Sequence, residues 1–153
     1  MQPIIIENIF SKTECEFIQK LIHYPESETA KVEVNESYIE NFHSRKWRML
    51  QLFYAEKYKW LFERLYLCVK KINKKYYKLD LIYSLEKVTL LEYSIWDFFV
   101  RHADLSPGWW KKRKLSMVIQ LSDEKHYSWW ELTIDGYWKN VSKKQGSIIF
   151  FPS

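Results

Sequence analysis

Apolar positions recur with a different period in the two halves of the chain. Pro3 to Phe10 is a short apolar, β-branched run that predicts an opening strand. Ser11-Lys12-Thr13-Glu14 follows as a capping box, in which Ser11 caps a helix and Glu14 reaches back to its amide. Cys15, Ile18, Leu21 and Ile22 then fall at helical spacing, and the helix should end near Pro25. Residues 26–46 are polar and irregular, with Val32 and Val34 alternating as a short strand. The longest helical signal runs from Tyr54 to Tyr76. There Trp60, Leu61, Leu65, Cys68, Val69 and Ile72 form an apolar stripe between charged residues.

Beyond that helix the texture changes. Glu86 to Phe99 is strand-like, Arg113 to Leu121 alternates, Glu131 to Ile134 is short and β-rich, and Gly146 to Phe151 is a compact apolar run. Strands separated by turn signals after a helical first half predict an α+β fold, mainly β. The expected architecture is an antiparallel sandwich or jelly roll buttressed by N-terminal helices. No repeat, low-complexity tract or linker interrupts the 153 residues, so one domain is expected.

Composition narrows the class. A hydrophobic fraction of 47% fits an ordinary globular domain with a real core. No apolar run approaches the roughly 20 residues of a membrane span, and the first residues lack a basic stretch and a cleavage site of the secretory kind. Cys15 and Cys68 lie far apart in helical segments and read as buried reduced thiols, so the expected compartment is cytoplasmic. The net charge of +5 is carried by lysine-rich patches, among them Lys70-Lys71-Ile72-Asn73-Lys74-Lys75 and Lys111-Lys112-Arg113-Lys114. Being scattered, they read as solvated surface, and nucleic acid is not the expected partner.

The sharpest chemical signal is His102-Ala103-Asp104, placed just after a predicted strand from Tyr93 to Val100. Side chains two apart in a strand share a face, so an imidazole and a carboxylate are aimed into one space. With one more histidine they would make a facial triad, which leaves positions open on iron(II) for a co-substrate and oxygen. The spacing by itself is weak, because a surface His–Asp hydrogen bond produces the same pattern.

Its neighbours sharpen it. Leu90-Leu91-Glu92-Tyr93-Ser94-Ile95-Trp96-Asp97-Phe98-Phe99-Val100-Arg101 leads into the motif. After it come Arg113 to Asp123, then Tyr127-Ser128-Trp129-Trp130-Glu131-Leu132, then Gly146-Ser147-Ile148-Ile149-Phe150-Phe151-Pro152-Ser153. In this order and spacing the chain resembles the prolyl-4-hydroxylase-like branch of the iron(II)/2-oxoglutarate-dependent oxygenases, over nearly its whole length. The resemblance implies a double-stranded β-helix, with residues 1–80 as helical support and opening strand and 81–153 as a partial jelly-roll core. It makes His102 and Asp104 the first two iron ligands and puts Tyr93 where the family lines its 2-oxoglutarate pocket. Core packing is an equal reading for Tyr93. Phe98 and Phe99 would flank the ligand strand. His126, in a turn between strands, is not a credible third ligand, and His23 and His43 have no motif around them.

The resemblance also implies oxidative decarboxylation of 2-oxoglutarate coupled to hydroxylation of a C–H bond, with ascorbate as reductant. The substrate would be a protein, a peptide or a small molecule, and a peptidyl proline is the most natural one by analogy. Two departures stand out. The family's distal histidine ligand and its 2-oxoglutarate-binding arginine follow the Phe-Pro-Ser stretch, so both are expected beyond Ser153. The last strands are then missing from a chain that is inactive as given. Secondly, only 3 glycines and 8 tryptophans are present, where average usage predicts roughly 11 glycines. Trp96, Trp129 and Trp130 stand where the family has glycine, and Trp109, Trp110 and Trp138 lie in turn-like contexts. Decoding UGA as tryptophan in an organism that reads it as glycine would account for both counts. Two other classes remain open: a non-catalytic jelly-roll binding module, and a basic nucleic-acid-binding protein.

Overall fold

A computed structural model describes residues 2–23, 48–81, 87–93, 114–128, 132–134 and 141–153. Within them the chain folds as a mixed α+β structure of two α-helices and five antiparallel strands in two sheets. The strands are β1 (Ile4–Ile6), β2 (Arg48–Phe53), β3 (Lys87–Glu92), β4 (Leu115–Ile119) and β5 (Ile148–Pro152). The helices are α1 (Lys12–Leu21) and α2 (Lys59–Ile72).

The first sheet has the order β1-β5-β4 and sets the last strand between the first and the fourth. Its register pairs Ile4 and Met117 with Phe150, and Ile6 and Ile119 with Ile148. These side chains share one face because alternate residues of a strand point the same way. They join Cys15, Ile18, Leu21 and Ile22 of the α1 region and Leu61, Leu65 and Ile72 of α2 in one core. The second sheet is the β2–β3 ribbon, whose inner face brings Leu50 against Leu90 and Leu52 against Val88.

The expected capping box is present. The Glu14 amide donates to Ser11 Oγ at 3.3 Å, and the Ser11 amide donates to Glu14 Oε2 at 2.8 Å. Arg64 of α2 braces the same corner. Its Nη1 donates to Glu14 Oε1 at 2.7 Å, and its guanidinium lies 5.1 Å from the Phe10 ring centre and 5.3 Å from that of Trp60. The amide of Ser11, more than any other group, holds the Glu14 carboxyl below its ordinary value, and Arg64 adds to that effect.

Several elements differ from the sequence expectation. The opening strand ends at Ile6, because Asn8 takes a left-handed φ of 57° and turns the chain. The turn delivers the amides of Ile9 and Phe10 to the Gly146 carbonyl at 2.9 and 3.2 Å. The helix expected from Tyr54 begins later, after extended Ala55, with a short 3₁₀ turn at Glu56–Tyr58. It ends in a π-helical turn at Asn73–Tyr77 that no sequence signal announces. The buried Asn73 side chain takes over here, donating to the Leu79 carbonyl at 2.8 Å and accepting from the Leu79 amide at 2.9 Å. Strand β2 was not expected, and of the strand expected at Glu131–Ile134 a single bridge at Ile134 is described. Val32 and Val34 lie outside the described residues.

Candidate functional site

Strand β3 precedes the candidate motif in sequence. Tyr93 is the first residue after the strand and is half-buried. His102 and Asp104 lie outside the described residues, as do Phe98, Phe99 and every tryptophan except Trp60. Among the described residues no group of three or more His, Cys, Asp or Glu side chains is placed to hold a metal. The donor set of the motif is therefore judged by its chemistry: one imidazole and one carboxylate, two residues apart, fit two of the three protein positions of an iron(II) facial triad.

One partner near this point was missed in the sequence. His23, just past the end of α1, has Nε2 3.1 Å from Glu92 Oε1 at the last position of β3. That pair fastens the first helix to the strand end beside Tyr93. Nothing around His23 signals it, because Glu92 is remote in sequence and both side chains are partly exposed. His126 falls in an exposed 3₁₀ turn at Glu124–His126, as expected for a surface histidine.

Strands β4 and β5 follow the candidate motif in sequence. In β5, Ile148, Ile149 and Phe150 are all 0% exposed although successive side chains point to opposite faces. The strand is therefore covered on both sides. Gly146 heads it with φ +78°, and a Cβ there would sit 2.0 Å from the Phe10 carbonyl oxygen, so the turn accepts only glycine. Its amide donates to Gln120 O at 2.8 Å while its carbonyl takes the two amides from residues 9 and 10. At the far end of the sheet Ser116 Oγ meets Ser153 Oγ at 2.7 Å, and the Ser153 amide donates to Lys114 O at 3.3 Å.

The cysteines show no sign of activation. Both thiols are free, and burial pushes each above its ordinary value, in Cys15 with help from the neighbouring carboxylates Glu14 and Glu16. A raised thiol is a poor nucleophile. No helix among the described residues is long and apolar enough to cross a membrane. Compared with known proteins, the chain matches no family model, no curated protein and no solved structure.

Proposed function

We propose that this chain is the front part of an iron(II)/2-oxoglutarate-dependent dioxygenase built on a jelly roll, in which His102 and Asp104 hold the iron. The observation that carries the reading is the order along the chain. Strand β3 ends beside Tyr93, His102-Ala103-Asp104 follows, and then come β4 and the glycine-headed β5. A central strand buried on both faces suits a sheet layered between a second sheet and supporting helices, where each side of the strand has a partner.

Bound iron(II) would supply an open coordination site for 2-oxoglutarate and oxygen. The overall balance turns 2-oxoglutarate, O₂ and a C–H substrate into succinate, CO₂ and an alcohol, with one oxygen atom going to succinate and the other to the product. Ascorbate would keep a bound iron in the reduced state. In this chain His102 and Asp104 would hold the metal, and Tyr93 would line the 2-oxoglutarate side of the pocket. The substrate class is a peptide or a small molecule, with a peptidyl proline favoured by analogy.

The coding DNA tests this. The reading expects the frame to run on past codon 153, with a histidine soon after Ser153 and an arginine beyond it to pair with the distal carboxylate of 2-oxoglutarate. It expects UGA at codons 96, 129 and 130. A stop directly after codon 153 would leave iron with two protein ligands and favour a non-catalytic jelly-roll module instead. UGG at the three tryptophan codons would remove the recoding account and leave the oxygenase reading standing.

A further inference from the structure

The C-terminal end of α2, the π-helical turn after it and the residue that caps the turn carry five lysines in nine residues: Lys70, Lys71, Lys74, Lys75 and Lys78. No Asp or Glu occurs between Glu63 and Asp80. All five lysines are exposed, and among the described residues none forms an ion pair. Lysines at a helix C-terminus complement its dipole, which accounts for one or two of them but not for five.

Two features turn this surface into more than a solvated face. Its base is rigid. Asn73 is clamped to Leu79 by two hydrogen bonds, and the buried Tyr77 hydroxyl lies 2.9 Å from Phe150 O and 3.0 Å from Gln2 O, sharing its one proton between them. Lysines 74, 75 and 78 therefore stand on a turn fastened to the central strand of the first sheet. Exposed aromatic rings are also interleaved with the ammonium groups. Lys70 Nζ lies 5.9 Å from the Tyr66 ring centre, and Lys75 Nζ lies 4.8 Å from that of Tyr76. At 3.6 residues per turn, Tyr66, Leu67, Lys70 and Lys71 share about 140° of the helix surface, opposite Leu61 and Leu65. Tyr66 also borders an open groove of about 480 Å³ lined by Tyr54, Phe62, Glu63, Tyr66 and Leu67. Among the described residues Glu63 is the one carboxylate lining the groove, and it lies two turns before Lys70.

We propose that this face binds single-stranded nucleic acid, with the phosphates on the lysines and bases stacked on Tyr66, Tyr76 and the aromatic wall of the groove. A polyanion matches five cations with no carboxylate among them, and flat rings next to cations are how proteins hold unpaired bases irrespective of sequence. A concave aromatic groove suits a base better than it suits a flat bilayer. The proposal goes beyond the oxygenase reading and does not depend on it, because binding is measured without iron or 2-oxoglutarate.

The test is fluorescence anisotropy of a labelled oligothymidylate titrated with the whole chain over a range of salt. Three to five phosphates neutralised on a single strand predict a log–log salt slope between about −2 and −3.5. Lys70→Glu/Lys74→Glu should weaken binding roughly tenfold or more and flatten the slope. The charge-matched control Lys12→Glu/Lys125→Glu, at exposed lysines remote in sequence, should change it far less. Tyr66→Ala should cost roughly fivefold or more in affinity with the slope kept. On the unaltered protein, oligothymidylate should protect Lys70, Lys71, Lys74, Lys75 and Lys78 from acetylation more than Lys12 and Lys125, which keeps the test independent of how any variant folds. Absence of binding at low salt overturns the proposal, as does equal loss in the control pair. Capture by phosphatidylserine vesicles without oligonucleotide binding also overturns it, in favour of a membrane surface.

Discussion

The two sheets of this molecule differ in composition and are used differently: Ser116 is the one polar residue in β1, β4 and β5, whereas β2 and β3 carry Arg48, Gln51, Lys87, Thr89 and Glu92. In β5 three successive side chains are fully buried, so both faces of the strand are covered. The β2–β3 ribbon alternates instead: Leu52 and Leu90 are buried, whereas Phe53 and Leu91 are 60% and 42% exposed. A continuous apolar run is the signature of a strand between two layers, and an alternating one of a strand with a single covered side. Stability should therefore reside in the first sheet and its helices. The ribbon has correspondingly little at stake on its outer face.

Substitutions can break this contrast if it is wrong. Phe150→Ala removes a fully buried ring where β5 meets both helices and should cost about 3–5 kcal/mol in urea unfolding. A loss below about 1 kcal/mol would mean that the sheet is not the stable centre. Gly146→Ala comes next, at about 2–3 kcal/mol, since it combines a positive φ with a Cβ driven into the Phe10 carbonyl. A neutral result would show that the turn relaxes.

Glu14→Gln should cost about 1 kcal/mol at neutral pH by weakening the capping box and the Arg64 ion pair. The folded state lowers this carboxyl below its ordinary 4.5, so its contribution is present above that value and is lost as pH falls through the depressed one. The difference between wild type and variant should therefore close in acid, as thermal melts across pH would reveal. Smallest of all, Phe53→Thr on the outer face of the ribbon should change stability by no more than about 0.5 kcal/mol. A large loss there would show that the outer face is covered and would erase the distinction between the sheets.

What could be read in the sequence follows from how local each signal is. The capping box at Ser11 and Glu14 is specified within four positions, and the α2 stripe repeats over several turns, so both emerge as expected. Strand β5 is legible because its apolar run is headed by a glycine that a positive φ requires. Strand β2 escaped notice because its apolar positions adjoin the stronger helical pattern that follows, and its partner β3 lies beyond α2. The shortness of β1 depends on tertiary hydrogen bonds from the amides of residues 9 and 10 to Gly146, and the π-helical turn on a local side-chain clamp of Asn73 to Leu79 that the helical pattern does not encode. For the candidate site, the strands β3, β4 and β5 that bracket the motif in sequence were legible, His102 and Asp104 lie outside the described residues, and the His23–Glu92 pair, joining positions remote in sequence, was not legible.

The central claim is that His102 and Asp104 hold a catalytic iron. It is tested most directly by succinate release from 2-oxoglutarate, using protein made from the whole reading frame with iron(II), ascorbate and oxygen. The account predicts iron-dependent succinate formation that falls by at least roughly a hundredfold in Asp104→Ala and His102→Ala, both still melting like the wild type. No succinate from the wild type, or equal release from the Asp104→Ala protein, would contradict it.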